Sequence, residues 1–311
     1  MCTRVFWSDN AVARVAGRTL DLSFLDSPRF QWRPAGQAES GFTGDDSAAW
    51  TSKFASLAIV EWDNDYLDGM NERGLAAHAL MFTTAEYEPQ DARPQLSTSR
   101  WVQYILDNFA TVAEAIQGLT QVRVAPVSIM GQELGVHVAI EDASGDSAII
   151  EPVDGTMVVH HGREHRVMAN SPKFTDQLAN LERYRPFGGE LPPPGDITSL
   201  DRFVRASYFL HFLPEPQDEE EAVSSVMQVV ATVAKPPGAP YPEGDIYPTR
   251  WLSAVDLTNL HYFFWSRVRP SLIRISLANL SQQQLPCSLD AFDPALAGEV
   301  SAALRQSPTA L

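Results

Sequence analysis

The sequence predicts an α+β fold assembled as layers within one domain, residues 1–311. Three observations lead to it. Runs rich in β-branched and aromatic residues occupy the early, middle and late parts of the chain, with helical spacings in two blocks between them. No GxGxxG follows any of those runs, which excludes a doubly wound dinucleotide-binding sheet. No internal repeat or low-complexity linker divides the chain further.

The elements follow in order. Thr3-Arg4-Val5-Phe6-Trp7 reads as a strand, Ser8-Asp9-Asn10 as a turn and Ala11 to Gly17 as the returning strand. Leu57 to Trp62 is a further strand. Asp68 to Gly74 has the composition of a turn, and Leu75 to Phe82 continues as a strand. Ser97 or Thr98 caps a helix in which Trp101, Tyr104, Ile105 and Phe109 recur at helical spacing, and Val112 to Leu119 forms a shorter one. Val136 to Ile140 and Ala148 to Ile150 flank the turn Ala143-Ser144-Gly145-Asp146, and Val153 to His160 bends at Asp154-Gly155. Residues 188–196, with three consecutive prolines, form a surface loop. Ser199 to Phe212 and Glu219 to Ala231 read as helices, Lys235 to Pro248 as irregular chain, and Trp251 to Val255 with His261 to Trp265 as a hairpin. The tail after Asp290 has weak helical character.

Composition narrows the function. Thirty-nine acidic residues against 23 basic ones give a formal charge of −16, which repels phosphate and argues against nucleic acid or an anionic membrane as partner. The two cysteines, Cys2 and Cys287, form no zinc-type spacing, and His160, His161 and His165 lack an HExxH arrangement, so no metal and no cofactor is expected. No basic and apolar leader precedes Asp9-Asn10, and no stretch reaches about 18 apolar residues, so the expected location is the cytoplasm.

Cys2 is the residue with chemical promise. Loss of Met1 gives it a free α-amine, whose reference pKa of about 7.7–8.0 leaves much of it neutral near physiological pH. Such an amine can serve as base for its own thiol. Arg18 and Asp21, in Gly17-Arg18-Thr19-Leu20-Asp21, read either as a surface ion pair or as partners of that thiol and amine.

Met1-Cys2-Thr3-Arg4 followed by Gly17-Arg18-Thr19-Leu20-Asp21 resembles the opening of the conjugated bile acid hydrolase and penicillin V acylase family. Asp68-Gly69-Met70-Asn71-Glu72-Arg73-Gly74-Leu75, Met168-Ala169-Asn170-Ser171-Pro172 and Asp201-Arg202-Phe203-Val204-Arg205 continue the resemblance in order, to about residue 280. It implies a four-layer αββα N-terminal nucleophile fold with two stacked, mainly antiparallel sheets. The implied roles are nucleophile for Cys2, thiolate support for Arg18, amine binding for Asp21, oxyanion contact for Asn170 and charged support for Arg202. A small-molecule linear amide is the implied substrate and a homo-oligomer of two or four copies the implied assembly.

The chain departs from the bile acid enzymes at Ala79-Leu80-Met81-Phe82, where they carry Gly-Leu-Asn-Phe. Met81 cannot donate the asparagine's hydrogen bond. The segment from Asn170 to Arg202 is also shorter. Both features resemble the Gram-negative branch, which favours penicillin V and N-acyl homoserine lactones. Phe24, Met81 and Phe82 are the candidates for binding the acyl group. A bile acid hydrolase and a catalytically dead binding protein on the same fold are the rival readings, and transfer of the acyl group to an acceptor other than water is a third.

Overall fold

Cys2–Trp7 is an interior strand of a seven-stranded sheet, in the order Val167–Ala169, Cys2–Trp7, Val15–Asp21, Thr249–Asp256, His261–Ser266, Leu272–Ser276 and Gly298–Glu299. This is seen in a computed structural model that describes residues 1–311 apart from 24–26, 42–43, 63–64, 130–131, 242, 270 and 307–311. All of its pairings are antiparallel except the last. A nine-stranded sheet runs Thr156–His161, Ser147–Val153, Val136–Asp142, Leu75–Met81, Asp65–Asn71, Ser56–Glu61, Arg29–Arg33, Cys287–Asp290 and Arg305–Gln306.

Strand alternation tells how the layers stack. Leu57 and Ile59 belong with Phe6, Leu20 and Val255 in the core between the sheets. Their neighbours Ala58 and Val60 join Trp101, Val102, Ile105 and Leu106 on the opposite face. Helices Thr98–Asn108 and Val112–Leu119 therefore cover the larger sheet. Phe174–Leu181, Ser199–His211 and Glu219–Ala231 lie on the smaller sheet's side, the last two packed directly against it, which completes the expected αββα arrangement. Close approach on that side depends on Gly17. A Cβ there would lie 2.7 Å from Val226 and 2.8 Å from Val230 of the covering helix.

Helix ends follow the sequence closely. Ser97 caps the first helix by accepting from Ser99 N, and Asp218 caps Glu219–Ala231 by accepting from Glu221 N. Three local readings change. The strand returning from Trp7 starts at Val15, not Ala11, because Asn10 Oδ1 accepts from Val12 N and Ala13 N and widens the turn. Asp68, Gly69 and Met70 lie inside a strand, and only Asn71 to Gly74 turn, with Asn71 Oδ1 accepting from Arg73 N and Leu75 N. Among the described residues, the tail after Asp290 has one 3₁₀ turn, Ser301–Ala303, between two-residue strands.

Candidate active site

Pairing of the first two strands sets Cys2 opposite Leu20 and Arg4 opposite Arg18, and Arg18 in turn lies opposite Ser253. Period-two alternation then sends Cys2, Arg4 and Arg18 into the space between the sheets, and Thr3, Thr19 and Asp21 toward the helices. The site is built on both faces of one strand pair.

On the inner face, Arg18 Nη2 lies 3.3 Å from Cys2 Sγ. The guanidinium is buried and held by Nη1, which donates to the carbonyls of Leu67 at 2.7 Å and Ala79 at 3.0 Å. Cys2 borders a cavity of about 80 Å³ whose wall is almost entirely apolar, including Leu22, Trp62, Tyr66, Met81, Leu134 and Val136. Met1 also lines it, so the first residue occupies space beside the thiol.

On the helix face, Cys2 N donates to Asn170 Oδ1 at 2.6 Å. Asn170 follows the edge strand Val167–Ala169, whose register against Thr3 to Val5 carries it alongside Cys2. Arg202, from the helix Ser199–His211, donates to Asn170 Oδ1 at 2.9 Å, to Cys2 O at 2.5 Å, to Ile197 O at 3.0 Å and to Thr3 Oγ1. Two donors converging on Oδ1 leave the amide nitrogen facing Met81 O at 2.7 Å. Asp21 uses its backbone to hold Met1, whose terminal amine donates to Asp21 O at 2.5 Å while Asp21 N donates to Met1 O at 2.8 Å. The Asp21 carboxylate takes Thr249 Oγ1 at 2.6 Å and the Lys235 ammonium at 2.9 Å.

Burial lowers the pKa of the terminal amine. Lys235 and Arg202 act in the same direction, against Cys2 and Asp21. Beneath the site lies a fully buried ionic chain. His78 contacts Asp68 through Nδ1 and Glu141 through Nε2, the latter at 2.6 Å, and Glu141 also pairs with Arg4. Ser253 and Tyr262 donate to Asp68 from the facing sheet. Burial works against a charged His78, but Glu141 and Asp68 outweigh it and raise its pKa to about 9.

The five residues expected at the site, Cys2, Arg18, Asp21, Asn170 and Arg202, meet around the N-terminus. Of the three expected at the acyl group, Met81 lines the cavity, whereas Phe82 stacks on His137 with ring centroids 4.8 Å apart. Phe24 lies outside the described residues. Lys235, Thr249 and Tyr241 went unnoticed in the sequence, because they sit in or beside a Pro- and Gly-rich stretch without regular spacing.

A cysteine at the head of an interior strand, in an αββα sandwich and beside an apolar cavity, defines an N-terminal nucleophile type of amidase. The comparisons place it further. The model of the linear amide C–N hydrolases, choloylglycine hydrolase family, matches residues 2–294, and the chain belongs to that family. It is 33% identical over 307 residues to a penicillin V acylase from Pectobacterium atrosepticum, covering 90% of this chain and 82% of the relative. It is 27% identical over 259 residues to a bile salt hydrolase/transferase from Bifidobacterium longum subsp. longum, covering 75% and 81%. The solved penicillin V acylase from Agrobacterium tumefaciens superposes with a TM-score of 0.89 at 34% identity, over 99% of this chain and 98% of that one. A mutant conjugated bile acid hydrolase from Clostridium perfringens, at TM-score 0.78 and 20% identity over 89% and 93%, shares the fold.

Proposed function

We propose that the chain, as one domain spanning residues 1–311, hydrolyses compact acyl amides of the penicillin V or N-acyl homoserine lactone type through Cys2 after loss of Met1. The observation that carries this reading is Cys2 Sγ at 3.3 Å from Arg18 Nη2, on the wall of an apolar cavity.

The freed α-amine takes the thiol proton, and Arg18 stabilises the thiolate. Sulfur attacks the amide carbonyl to give a tetrahedral oxyanion. Asn170 Nδ2 carries two hydrogens; one serves Met81 O at 2.7 Å, and the second is assigned to the oxyanion. The C–N bond breaks as the ammonium at Cys2 returns its proton to the leaving amine. Water, deprotonated by the same amine, then attacks the thioester, and the carboxylic acid leaves with the thiol restored. Asn170 Oδ1 orients the amine, and Arg202 fixes that oxygen. The Asp21 carboxylate acts on the amine through its charge, since its oxygens contact Thr249 and Lys235.

Substrate choice follows from the wall. Apolar Met81 stands where the bile acid enzymes have a hydrogen-bond donor, which favours compact aromatic or aliphatic acyl groups. A cytoplasmic enzyme working as a dimer or tetramer belongs to the same proposal. Exposed Phe209 on the helix Ser199–His211 and exposed Phe212 at its C-cap support self-association.

An amide panel tests the reading. Turnover of penicillin V or a long-chain acyl homoserine lactone should exceed that of glycocholate in kcat/KM and vanish in Cys2→Ala. It should persist in Cys287→Ala, whose buried thiol donates to the Leu285 carbonyl at 3.4 Å. Preference for glycocholate by about tenfold, or 1.4 kcal/mol, overturns the substrate assignment. Full activity of Cys2→Ala overturns the mechanism.

A further inference from the structure

An N-terminal amine that must accept a proton from its own thiol is poorly served by a nearby carboxylate. Asp21, taken alone, raises the pKa of the Met1 amine, and its negative charge would likewise favour the protonated form of an amine at Cys2. The helix face of the site holds a counterweight that the reaction scheme above does not use. Lys235 is 3% exposed, its ammonium lies 2.9 Å from Asp21 Oδ2, and it donates to Tyr241 Oη at 2.6 Å.

Its position is fixed from several sides. Thr249 N donates to Lys235 O at 2.9 Å, and Lys235 N donates to Thr249 Oγ1 at 2.8 Å. The same Thr249 hydroxyl reaches the other oxygen of Asp21 at 2.6 Å. The Tyr241 ring lies under the ammonium, 4.8 Å from centroid to nitrogen. Burial pushes the Tyr241 phenol up to about 12, so this partner stays neutral and adds no charge of its own. A buried side chain clamped through both backbone bonds, a carboxylate and a phenol, at the back of a reactive terminus, has a well-defined place for its charge.

We propose that Lys235 is a positioning residue that offsets the Asp21 carboxylate, so that the amine at Cys2 is free to act as base near neutral pH. The inference rests on the reading of Cys2 as an N-terminal nucleophile. The charged and titratable groups gathered around the first two residues are Asp21 and Arg18 from the second strand, Arg202 from the helix Ser199–His211, the Cys2 thiol, Lys235 and Tyr241. At the Met1 amine, one residue out, Asp21 and Cys2 favour the proton whereas Lys235 and Arg202 disfavour it, and the same fixed charges face the amine that loss of Met1 leaves at Cys2. Arg202 is committed to Cys2 O, Thr3, Ile197 and Asn170, so Lys235 is the cation that meets the Asp21 carboxylate directly. Losing it leaves that carboxylate without its paired cation, and only the more committed Arg202 opposes it.

The test uses the Met1-free enzyme and the pH profile of kcat/KM, whose acid limb reports protonation of the base. Lys235→Gln keeps a donor to Asp21 but removes the charge. The acid limb should move to higher pH by about one unit, which lowers kcat/KM on that limb by about tenfold. Lys235→Arg should return the limb toward its original place. A well-folded Lys235→Gln enzyme with an unmoved limb overturns the proposal, as does a displaced limb that arginine does not restore. Should Lys235→Gln not fold, Tyr241→Phe removes a single oxygen that holds the ammonium in place. It should displace the limb in the same direction by less, and an unmoved limb there also overturns the proposal. Cys2→Ala, assayed alongside, separates the two ideas. Its activity would remove the nucleophile itself, whereas an inactive Cys2→Ala with an unmoved limb removes Lys235 alone.

Discussion

Replacing Asn170 by alanine removes three hydrogen bonds at once, and they divide between structure and chemistry. Oδ1 accepts from Cys2 N at 2.6 Å and from Arg202 Nη2 at 2.9 Å, while Nδ2 donates to Met81 O at 2.7 Å. The bond to arginine is worth about 1.5–3 kcal/mol and the other two about 1 kcal/mol each, so the substitution should cost about 4 kcal/mol. The backbone should stay in place, because Gln177 and Ser199 hold the Asn170 carbonyl at 2.5 Å and 2.9 Å. Arg202 keeps its three other acceptors. At roughly 2 °C per kcal/mol, melting should fall by about 8 °C. Loss of the oxyanion donor should lower kcat by about 10²–10³ with little change in KM. Asn170→Asp separates the two effects. It preserves the oxygen that Cys2 N and Arg202 use but removes the N–H, so it should melt higher than Asn170→Ala while remaining as inactive. Steady-state kinetics and calorimetry on both variants read the result. A kcat within about threefold of the parent in either would refute the oxyanion role and leave Asn170 as a structural bridge.

The remaining predictions concern the terminus and the interior. A chain that retains Met1 or a longer extension should be nearly inactive, since the Cys2 nitrogen is then an amide and Met1 lines the cavity beside the thiol. Mass spectrometry of active protein should show a chain that starts at Cys2, and full activity with Met1 in place would require another base. His78, with a pKa raised from 6.5 to about 9 by Glu141 and Asp68, should contribute about 3 kcal/mol to stability. Because the folded pKa is the higher one, that contribution is complete below pH 6.5 and disappears as pH rises through about 9. In urea titrations the stability difference between the parent and His78→Gln should shrink across that window, and a constant difference would refute the linkage.

The residues that meet around Cys2 were legible because they lie in short motifs that resemble those of the family, and strand register explains why those motifs converge. Cys2 and Arg18 sit one strand apart, and Asn170 follows the edge strand on the other side. Element type was equally plain where periodicity was strong, as in Thr98–Asn108. Asp68 misled because an acidic residue before glycine and asparagine has the composition of a turn. In the folded chain its charge is satisfied inside the sandwich by His78, Ser253 and Tyr262, which sequence spacing does not bring together. Lys235 escaped for a related reason. Its partner Asp21 lies more than two hundred residues away in sequence, and the lysine stands before two prolines in chain without period.

The placement of Cys2–Trp7 inside its sheet also bears on how the protein is made. Its neighbour on one side, Val15–Asp21, is synthesised almost at once, so an early hairpin can form. The other neighbour, Val167–Ala169, arrives only after half of the chain, and Thr249–Asp256, which closes the second strand, comes near the end. Contacts of such long sequence separation give the sheet a high contact order and delay its completion. During that interval the first residues are still accessible, whereas in the finished fold Cys2 is 3% exposed and the Met1 amine and carbonyl are both bonded to Asp21. Late closure thus provides a time window for trimming the terminus. On the proposed loss of Met1, a chain that closes before trimming would hold back its first residue from the peptidase, and the fraction of active enzyme would depend on a race between synthesis and processing.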